Sequence, residues 1–341
     1  MKNSTITFTE ILKILVDRKK ITFKKIINLL KNFYAIFKSK DYIHSYPSFI
    51  LIDPSNICTL RCPVCVESKK ILPASITFLK KEAFSKVIDE ISKYTLVMAL
   101  YYAGEPFLNR DIFEMIKYGH KKKMYLYVSS NLNVQMDEIF VENLIDSGLD
   151  VLIAAVSGYT NEVYCRNHIG GDIELVKQNI KKIQEIKRKK KSKYPKLAIR
   201  YLLAKYNQKE KEDFYRFAAE CGVDFFEVSL MNFIDKNNPE TLHSKENETV
   251  KKNSVCVWPW IMLAIHSDGT TEPCCYYNQR VPILGNIFDK GNNVANIWGS
   301  DRLRSFRRKM ALSGKNNIDC CKNCRGNFGY QRIIINDKYK F

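Results

Sequence analysis

From Ser48 onward, short apolar runs alternate with longer segments in which apolar residues recur every three or four positions. The short runs predict β-strands at residues 49–52, 96–101, 125–128, 151–155, 197–203 and 225–230. The longer segments predict amphipathic helices at residues 80–94, 112–122, 138–147, 174–189 and 209–221. Six such repeats with right-handed crossovers predict an α/β fold, a partial (β/α)6 TIM barrel whose functional residues follow the C-terminal ends of the strands.

Other patterns flank this core. Residues 1–46 predict a basic helical extension, which either packs on the main domain or lies on an anionic membrane or a partner. Its pattern combines Lys24, Lys25 and Lys31 with Ile26, Ile27, Leu29, Leu30 and Phe33. The core is expected over residues 47–234, a polar linker over 235–253, and a small C-terminal domain over 254–341.

Within the C-terminal region, the apolar and aromatic run at residues 257–266 predicts a strand. The tetrapeptide Ser267-Asp268-Gly269-Thr270 predicts a hairpin turn that leads into a second strand at 271–274. A helix is expected over residues 295–312.

Composition excludes a disordered chain, because 45% of the 341 residues are hydrophobic. No run approaches the ~20 apolar residues that cross a bilayer, and the N-terminus lacks a signal-peptide core, so a cytoplasmic location is expected. The 55 Lys and Arg residues exceed the 36 Asp and Glu residues and give a net charge of +19. These basic residues are spread over helical segments without a recognition motif, so we expect a solvated surface and no nucleic-acid partner.

The 11 cysteines are unevenly placed. In a reducing compartment an odd number of thiols favours metal ligation over disulfides. Cys58, Cys62 and Cys65 form a C-x3-C-x2-C triplet directly after the first strand. Three thiolates this close can hold three corners of an iron–sulfur cubane and leave the fourth iron for a non-protein ligand. Four-cysteine zinc sites usually come as two pairs instead.

The triplet and the six βα units together resemble the radical S-adenosylmethionine (radical SAM) superfamily over roughly residues 48–230. The resemblance implies a 4Fe–4S cluster on Cys58, Cys62 and Cys65, with its free iron chelated by the amino and carboxylate groups of S-adenosylmethionine. It also implies cleavage of this cofactor to a 5′-deoxyadenosyl radical, and an electron donor such as flavodoxin or ferredoxin.

Two further segments match the superfamily. Gly104-Glu105-Pro106, after the second strand, is similar to the G-G-E-P segment that binds the methionine ammonium. Ser129-Ser130-Asn131, after the third strand, is similar to a polar segment that approaches the ribose and methionine of the cofactor. An ordinary turn or helix cap is the alternative interpretation of each segment.

The region after the fourth strand departs from the family pattern. Relatives often carry an aspartate and an arginine where this chain has Ser157 and His168, although the surrounding frame is kept. The candidates for catalytic or substrate contact are therefore weak: Arg166, His168, Cys165 as a hydrogen donor in an epimerase, and Arg200.

The C-terminal cysteines resemble a shortened SPASM domain, also called a twitch domain. Cys256-x17-Cys274 flanks the predicted hairpin, and Cys321-x2-Cys324 follows 47 positions later. The resemblance implies one auxiliary 4Fe–4S cluster on these four thiols, with Cys275 and Cys320 as adjacent alternatives. A zinc ribbon is the competing interpretation.

One auxiliary cluster suits a two-electron oxidation, because a deprotonated substrate radical must lose a second electron. The tail spacing is similar to that of radical enzymes that oxidise a secondary alcohol of an aminocyclitol. The expected function is oxidation, or another modification such as epimerisation, of a small polar substrate: a sugar, cyclitol or nucleotide-linked sugar. The alternatives are a SPASM-type maturase of a ribosomal peptide and a non-catalytic zinc-ribbon binding module.

Overall fold

The computed structural model describes residues 8–65, 77–231, 238–240, 255–275, 281–321, 324 and 332–333. Helices and strands alternate through most of this chain. In order they are α1 Phe8–Asp17, α2 Phe23–Phe37, β1 Phe49–Ile52, α3 Lys81–Ile91, β2 Val97–Leu100, α4 Ile112–Lys121, β3 Tyr125–Ser130, α5 Glu138–Asp146, β4 Val151–Val156, α6 Asn161–Tyr164, α7 Ile173–Lys189, β5 Lys196–Leu203, α8 Lys211–Glu220, β6 Phe225–Leu230, α9 Trp258–Ile261, β7 Met262–Ile265, β8 Thr270–Glu272, β9 Gly285–Asn286, α10 Val294–Trp298, α11 Asp301–Ser313 and β10 Arg332–Ile333.

The strands form one open sheet in the order β10-β6-β5-β4-β3-β2-β1-β7-β8-β9. Strands β1 to β6 are parallel neighbours in chain order. This arrangement confirms the predicted α/β fold and partial barrel. Parallel strands direct their C-terminal ends to one edge, so the six loops that follow them meet there.

Alternate strand residues face opposite sides of the curved sheet. In β4, Leu152, Ala154 and Val156 join the large core between sheet and helices, whereas Val151 and Ile153 belong to a separate cluster on the inner face. Ile14 and Leu15 of α1 complete that inner cluster, which includes the first residues of β4 and β6. Helix α1 therefore closes the N-terminal end of the barrel and leaves the C-terminal end for the site.

A buried ion pair holds this N-terminal extension in place. Asp150, just before β4, contacts Lys20 and lies 2.9 Å from an Nη of Arg18. Burial lowers the pKa of Lys20 to about 8, although the charge of Asp150 opposes that shift. Across the described residues, no helix combines the length and apolarity needed to cross a membrane.

Two predictions for the C-terminal region are wrong. Residues 257–266 form the short helix α9 followed by β7, because Pro259 occupies an early position of the helix, where its missing N–H is tolerated. Residues 295–312 belong to two helices, α10 and α11, because Gly299 ends the first and the Ser300 hydroxyl caps the second. The predicted hairpin between β7 and β8 is confirmed, with Gly269 at φ +89°.

The C-terminal strands also continue the barrel sheet. β7 pairs in parallel with β1, Phe49 opposite Met262, and β10 pairs antiparallel with β6. Most of the predicted linker at 235–253 lies outside the described residues. The division into domains stays a prediction.

Candidate functional site

The three clustered cysteines lie in the loop after β1, at the C-terminal edge of the sheet. The Leu60 backbone N–H donates to Cys58 Sγ at 3.4 Å, and the Cys65 N–H donates to the Cys62 carbonyl at 2.9 Å. All three thiols are half-buried. The loop thus holds three sulfur atoms at a surface that a ligand can reach.

Gly104 brings the turn after β2 against this loop. The neighbouring Glu105 N–H donates to the Ile57 carbonyl at 2.7 Å. A Cβ at Gly104 would lie 2.1 Å from the Ser55 carbonyl oxygen and 2.5 Å from that of Ile57. Only glycine permits this approach of two backbones.

The side chain of Glu105 connects this turn to the next one. Its buried carboxylate accepts hydrogen bonds from Ser130 Oγ at 2.7 Å, the Asn131 N–H at 2.9 Å and the Phe107 N–H at 3.2 Å. Burial raises the pKa of Glu105 to about 7, and the three hydrogen bonds oppose that shift. A carboxylate has about four acceptor positions, so one stays for a further donor.

Asn131 closes the ring of contacts. Its amide Nδ2 donates to Cys58 Sγ at 3.4 Å, and its Oδ1 accepts the Asn133 N–H at 2.7 Å. Pro106 is buried at the start of a short 3-10 turn, and Ser129 is half-buried in β3. The structure therefore brings the three sequence-predicted segments after β1, β2 and β3 into one site.

His168 supports the cysteine loop from the side of β4. It is buried, its Nδ1 lies 2.6 Å from Ser157 Oγ, and its ring stacks on Tyr164 at 4.4 Å. Burial lowers the pKa of His168 to about 3, so the ring is neutral at physiological pH. The adjacent Ile169 carbonyl accepts the Arg61 N–H at 2.9 Å. Ser157 and His168 thus contact each other where relatives often carry an aspartate and an arginine, and the backbone just after His168 holds the cysteine loop.

The other weak candidates make contacts of their own. Arg166 stacks over the Tyr206 ring at 4.5 Å and lies 3.6 Å from Glu240. Cys165 donates its thiol hydrogen to the Gly171 carbonyl at 3.2 Å. Arg200 points from β5 to Glu227 of β6, with 2.7 Å between Nη2 and Oε1. Their catalytic roles stay predictions.

The C-terminal cysteines gather beside the core. Cys256, Cys274 and Cys321 pack against the large core, whereas Cys275 packs against the inner face of the barrel. Burial raises the pKa of Cys256 to about 11 and that of Cys275 to about 12, and the nearby Cys324 adds to both shifts.

The fourth and fifth thiols of this region are also close. Cys320 and Cys321 have sulfur atoms 3.7 Å apart. Within the ranges that the structure describes, no three Cys, His, Asp or Glu side chains converge closely enough to hold a single metal ion. Both adjacent alternatives still lie near predicted ligands: Cys320 contacts Cys321, and Cys324 and Cys256 are close enough to Cys275 to raise its pKa.

A polar cluster that the sequence motifs did not reveal lies between β1 and β7. His266 Nε2 is 3.4 Å from Glu272, which also accepts the Tyr102 hydroxyl at 3.4 Å. Burial acts to lower the pKa of His266, but Glu272 and Asp53 raise it overall. Burial raises the pKa of Asp53 to about 7. The available signal was position alone: Asp53 and His266 each follow directly after a strand.

Comparison with known families covers both halves of the chain. The model of the radical SAM superfamily matches residues 52–230, which is more than half of the chain. The SPASM model, an iron–sulfur cluster-binding domain, matches residues 256–325. The first domain binds a 4Fe–4S cluster with S-adenosylmethionine, and the second binds auxiliary iron–sulfur clusters.

Three curated proteins are similar in sequence. PqqA peptide cyclase of Granulibacter bethesdensis is 24% identical over 55% of this chain, which spans 48% of that protein. The tungsten-containing aldehyde ferredoxin oxidoreductase cofactor-modifying protein of Pyrococcus furiosus is 24% identical over 76% of this chain and 83% of its own length. The S-adenosyl-L-methionine-dependent 2-deoxy-scyllo-inosamine dehydrogenase of Niallia circulans is 31% identical over 22% of this chain and 29% of its own length.

A solved structure shares the fold. Streptococcus suis SuiB, in a crystal structure bound to S-adenosylmethionine, superposes with a TM-score of 0.63 at 16% identity. The match covers 86% of this chain and 75% of SuiB. It supports the fold assignment alone.

Substitution of Gly104 tests the close approach of the two loops. Gly104→Ala places a methyl group against two carbonyl oxygens, so we expect a loss of about 1–3 kcal/mol in the free energy of unfolding. Urea denaturation measures this change. Gly299→Ala is the matched control, since its Cβ would lie 3.3 Å from the nearest atom; equal stability losses in both variants would contradict the account.

Proposed function

Since this chain belongs to the radical SAM superfamily and carries a SPASM domain, we propose that it cleaves S-adenosylmethionine reductively and uses the resulting radical to modify a peptide. The observation that carries the first half is the joining of three loops by Glu105 and Asn131 beside Cys58. The second half rests on the similarity to a peptide cyclase over 55% of the chain.

The residues of the site fit the cofactor. Cys58, Cys62 and Cys65 supply three soft donors, which suit iron in a cluster. Glu105 offers its remaining acceptor position to an N–H of the methionine amino group, which keeps its N–H bonds when its nitrogen chelates iron, and ionisation of the carboxylate strengthens that contact. Asn131 orients Cys58 through a hydrogen bond to sulfur. Ser129 and Ser130 supply hydroxyl groups along the same turn.

Held by Cys58, Cys62 and Cys65, a reduced cluster would supply the electron for reductive cleavage of the sulfonium, which would release methionine and provide a 5′-deoxyadenosyl radical to abstract hydrogen from substrate. The protein positions the cofactor through the turns at Gly104 and Asn131. It excludes water with the buried block of Tyr164 and His168 behind the cysteine loop. A flavodoxin or ferredoxin is the proposed electron donor.

For the auxiliary cluster we propose Cys256, Cys274, Cys321 and Cys324 as ligands. Before a cluster binds, the Cys256 thiol holds its proton at neutral pH because burial raises its pKa to about 11, and binding of the cluster would release that proton because the thiolate is the ligating form. Cys275 lies on the inner face of the barrel, so exchange of Cys274 for Cys275 would move the ligand set towards the substrate.

Side chains on the inner face of the barrel also favour the proposal of a peptide substrate. An aromatic wall runs along the inside of the barrel from Phe49 and Trp258, near the strand starts, through Tyr127 to Tyr101, which follows β2 beside the site. Neighbouring ring centroids are 5.5–6.3 Å apart. Aromatic surface gains free energy by covering apolar side chains. The His266–Glu272 pair at the C-terminal end of β7 would offer polar contacts to a peptide backbone that enters the barrel.

Oxidation of a small polar molecule, such as a sugar, cyclitol or nucleotide-linked sugar, is the second candidate. The local 31% identity to an aminocyclitol dehydrogenase favours it, although that match covers 22% of this chain. The two candidates differ in the substrate that accelerates cofactor cleavage.

Replacement of the triplet tests the cofactor assignment. In the anaerobically reconstituted, reduced protein, the variant with Cys58, Cys62 and Cys65 all changed to Ala should release no 5′-deoxyadenosine above background, as measured by chromatography. Its auxiliary-cluster absorption should persist. Cys221→Ala is the control, because Cys221 packs in the core at the end of α8. Continued cleavage by the triple variant would refute the assignment.

A substrate panel separates the two candidate functions. Aminocyclitols, nucleotide sugars and synthetic peptides are incubated with the reduced protein, and 5′-deoxyadenosine release and product mass are recorded. We expect a peptide to raise the rate of release about tenfold or more, and to change mass or stereochemistry. Acceleration by an aminocyclitol or nucleotide sugar alone would support the second candidate and contradict the first.

The pH dependence of cofactor binding tests Glu105. Its raised pKa means that the folded, cofactor-free protein holds the proton up to about pH 7. Binding of the cofactor's amino group should therefore tighten as pH rises through 7, because the ionised carboxylate is a stronger hydrogen-bond acceptor than the protonated acid. Glu105→Gln should bind about tenfold more weakly at pH 8, equivalent to roughly 1.4 kcal/mol, with a flat pH profile.

Equilibrium dialysis with labelled S-adenosylmethionine measures this affinity. Glu114→Gln is the control, since that carboxylate is exposed on α4 and pairs with Lys117. If the affinity of the Glu105→Gln variant still rose through pH 7, another group would control binding.

A further inference from the structure

Helix α2 packs on the protein through its polar residues. Asn28 Nδ2 donates to the Tyr46 carbonyl at 2.9 Å, and its Oδ1 accepts the Tyr46 N–H at 2.8 Å. Asn32 Nδ2 donates to Ser48 Oγ at 2.8 Å. Lys25 Nζ donates to the Lys123 carbonyl. Asn28, Asn32 and Lys25 are all buried.

The opposite side of α2 is apolar and exposed, the reverse of an ordinary amphipathic helix. Phe23 is 77% exposed, Leu30 57% and Phe37 81%. The full set recurs every three or four positions and so shares one side of the helix. We call it the α2 apolar face; it consists of Phe23, Ile26, Ile27, Leu30, Phe33, Tyr34 and Phe37.

An exposed apolar surface of this kind marks an interaction site. The inward hydrogen bonds fix the helix in place, so the apolar face cannot turn inward without leaving Asn28 and Asn32 buried and unpaired elsewhere or exposed. The sequence left open whether this helix packs on the domain or meets a membrane. The structure shows a packed helix whose apolar side is still free to meet one.

Charge identifies the chemistry of the partner. Lys24 and Lys31 lie one helix row beside the apolar face, Lys38 follows at its end, and α2 contains no acidic residue. The whole chain carries a net charge of +19. An anionic bilayer surface offers both an apolar layer and negative charge, and attracts each nearby lysine by about 1 kcal/mol.

A second copy of the chain is a poorer partner. A twofold contact through the α2 apolar face would join two chains that each carry a net charge of +19, and these like charges repel. The 15-residue helix is about 22 Å long, shorter than the ~30 Å hydrocarbon core, so it would lie in the plane of the membrane.

We propose that the α2 apolar face anchors this protein to the surface of an anionic membrane. The aromatic and aliphatic side chains insert at the boundary between headgroups and acyl chains, and the lysines beside them contact lipid phosphates. Helix α2 packs against Tyr46 and Ser48, which precede the first strand. It therefore does not cover the loops at the C-terminal end of the barrel.

Vesicle flotation with the full reconstituted chain tests the proposal. The probes are vesicles of phosphatidylcholine alone and of phosphatidylcholine with one-quarter phosphatidylglycerol. The triple variant Leu30→Ser, Phe33→Ser, Phe37→Ser should lose about tenfold or more of its binding to anionic vesicles. The control is Ile139→Ser with Leu312→Ser, since those side chains are 68% and 82% exposed on other helices; it should bind like the wild type.

The proposal is overturned if the wild-type chain does not bind anionic vesicles, if it binds neutral vesicles equally well, or if both variants lose binding alike. It is also overturned if light scattering shows a wild-type dimer that the triple variant dissociates while no vesicle binding is seen. Release of 5′-deoxyadenosine in detergent-free buffer should be equal in all variants, which shows that α2 acts apart from the radical site.

Discussion

Burying a carboxylate is costly unless hydrogen bonds compensate for the lost water, and Glu105 meets this condition by joining separate loops. Its own N–H reaches the Cys58 loop at Ile57, and its oxygens hold Ser130 and Asn131 after β3. Asn131 returns to Cys58 through sulfur. Loops that are far apart in sequence therefore share one buried group, and the geometry of the cysteine triplet depends on it.

Strand pairing and helix packing elsewhere in the fold hold these loops in position. β7 pairs with β1, so the C-terminal cysteine region begins on the same sheet as the triplet. The buried guanidinium of Arg307 donates to the carbonyls of Pro259 and Trp298, which ties α11 to the helices around it. Helix α1 seals the other end of the barrel. The C-terminal edge of the barrel thus carries the proposed radical site, and α1 covers the opposite end of the inner face.

Local patterns predicted the elements of the core well, because a short apolar run between amphipathic helices usually forms a buried strand of a parallel sheet. The strands at 49–52 and 225–230 match β1 and β6 residue for residue. The prediction of a single strand over residues 257–266 failed because short buried helices and short buried strands are equally apolar. The predicted helix at 295–312 is two helices, because Gly299 ends the first and Ser300 caps the second. The spacing of apolar residues does not reveal such caps.

Contacts between segments that are distant in the chain could not be predicted from the sequence. The motifs located Cys58, Glu105 and Asn131, but no pattern placed Asp53 beside His266, since their proximity arises from β7 joining β1. Electron–nuclear double resonance tests the central claim most directly, using the reduced protein with S-adenosylmethionine that carries ¹⁵N in its amino group and ¹⁷O in its carboxylate. The account predicts that both labels couple to the cluster held by the triplet. A reduced, iron-loaded protein in which neither label couples would contradict it.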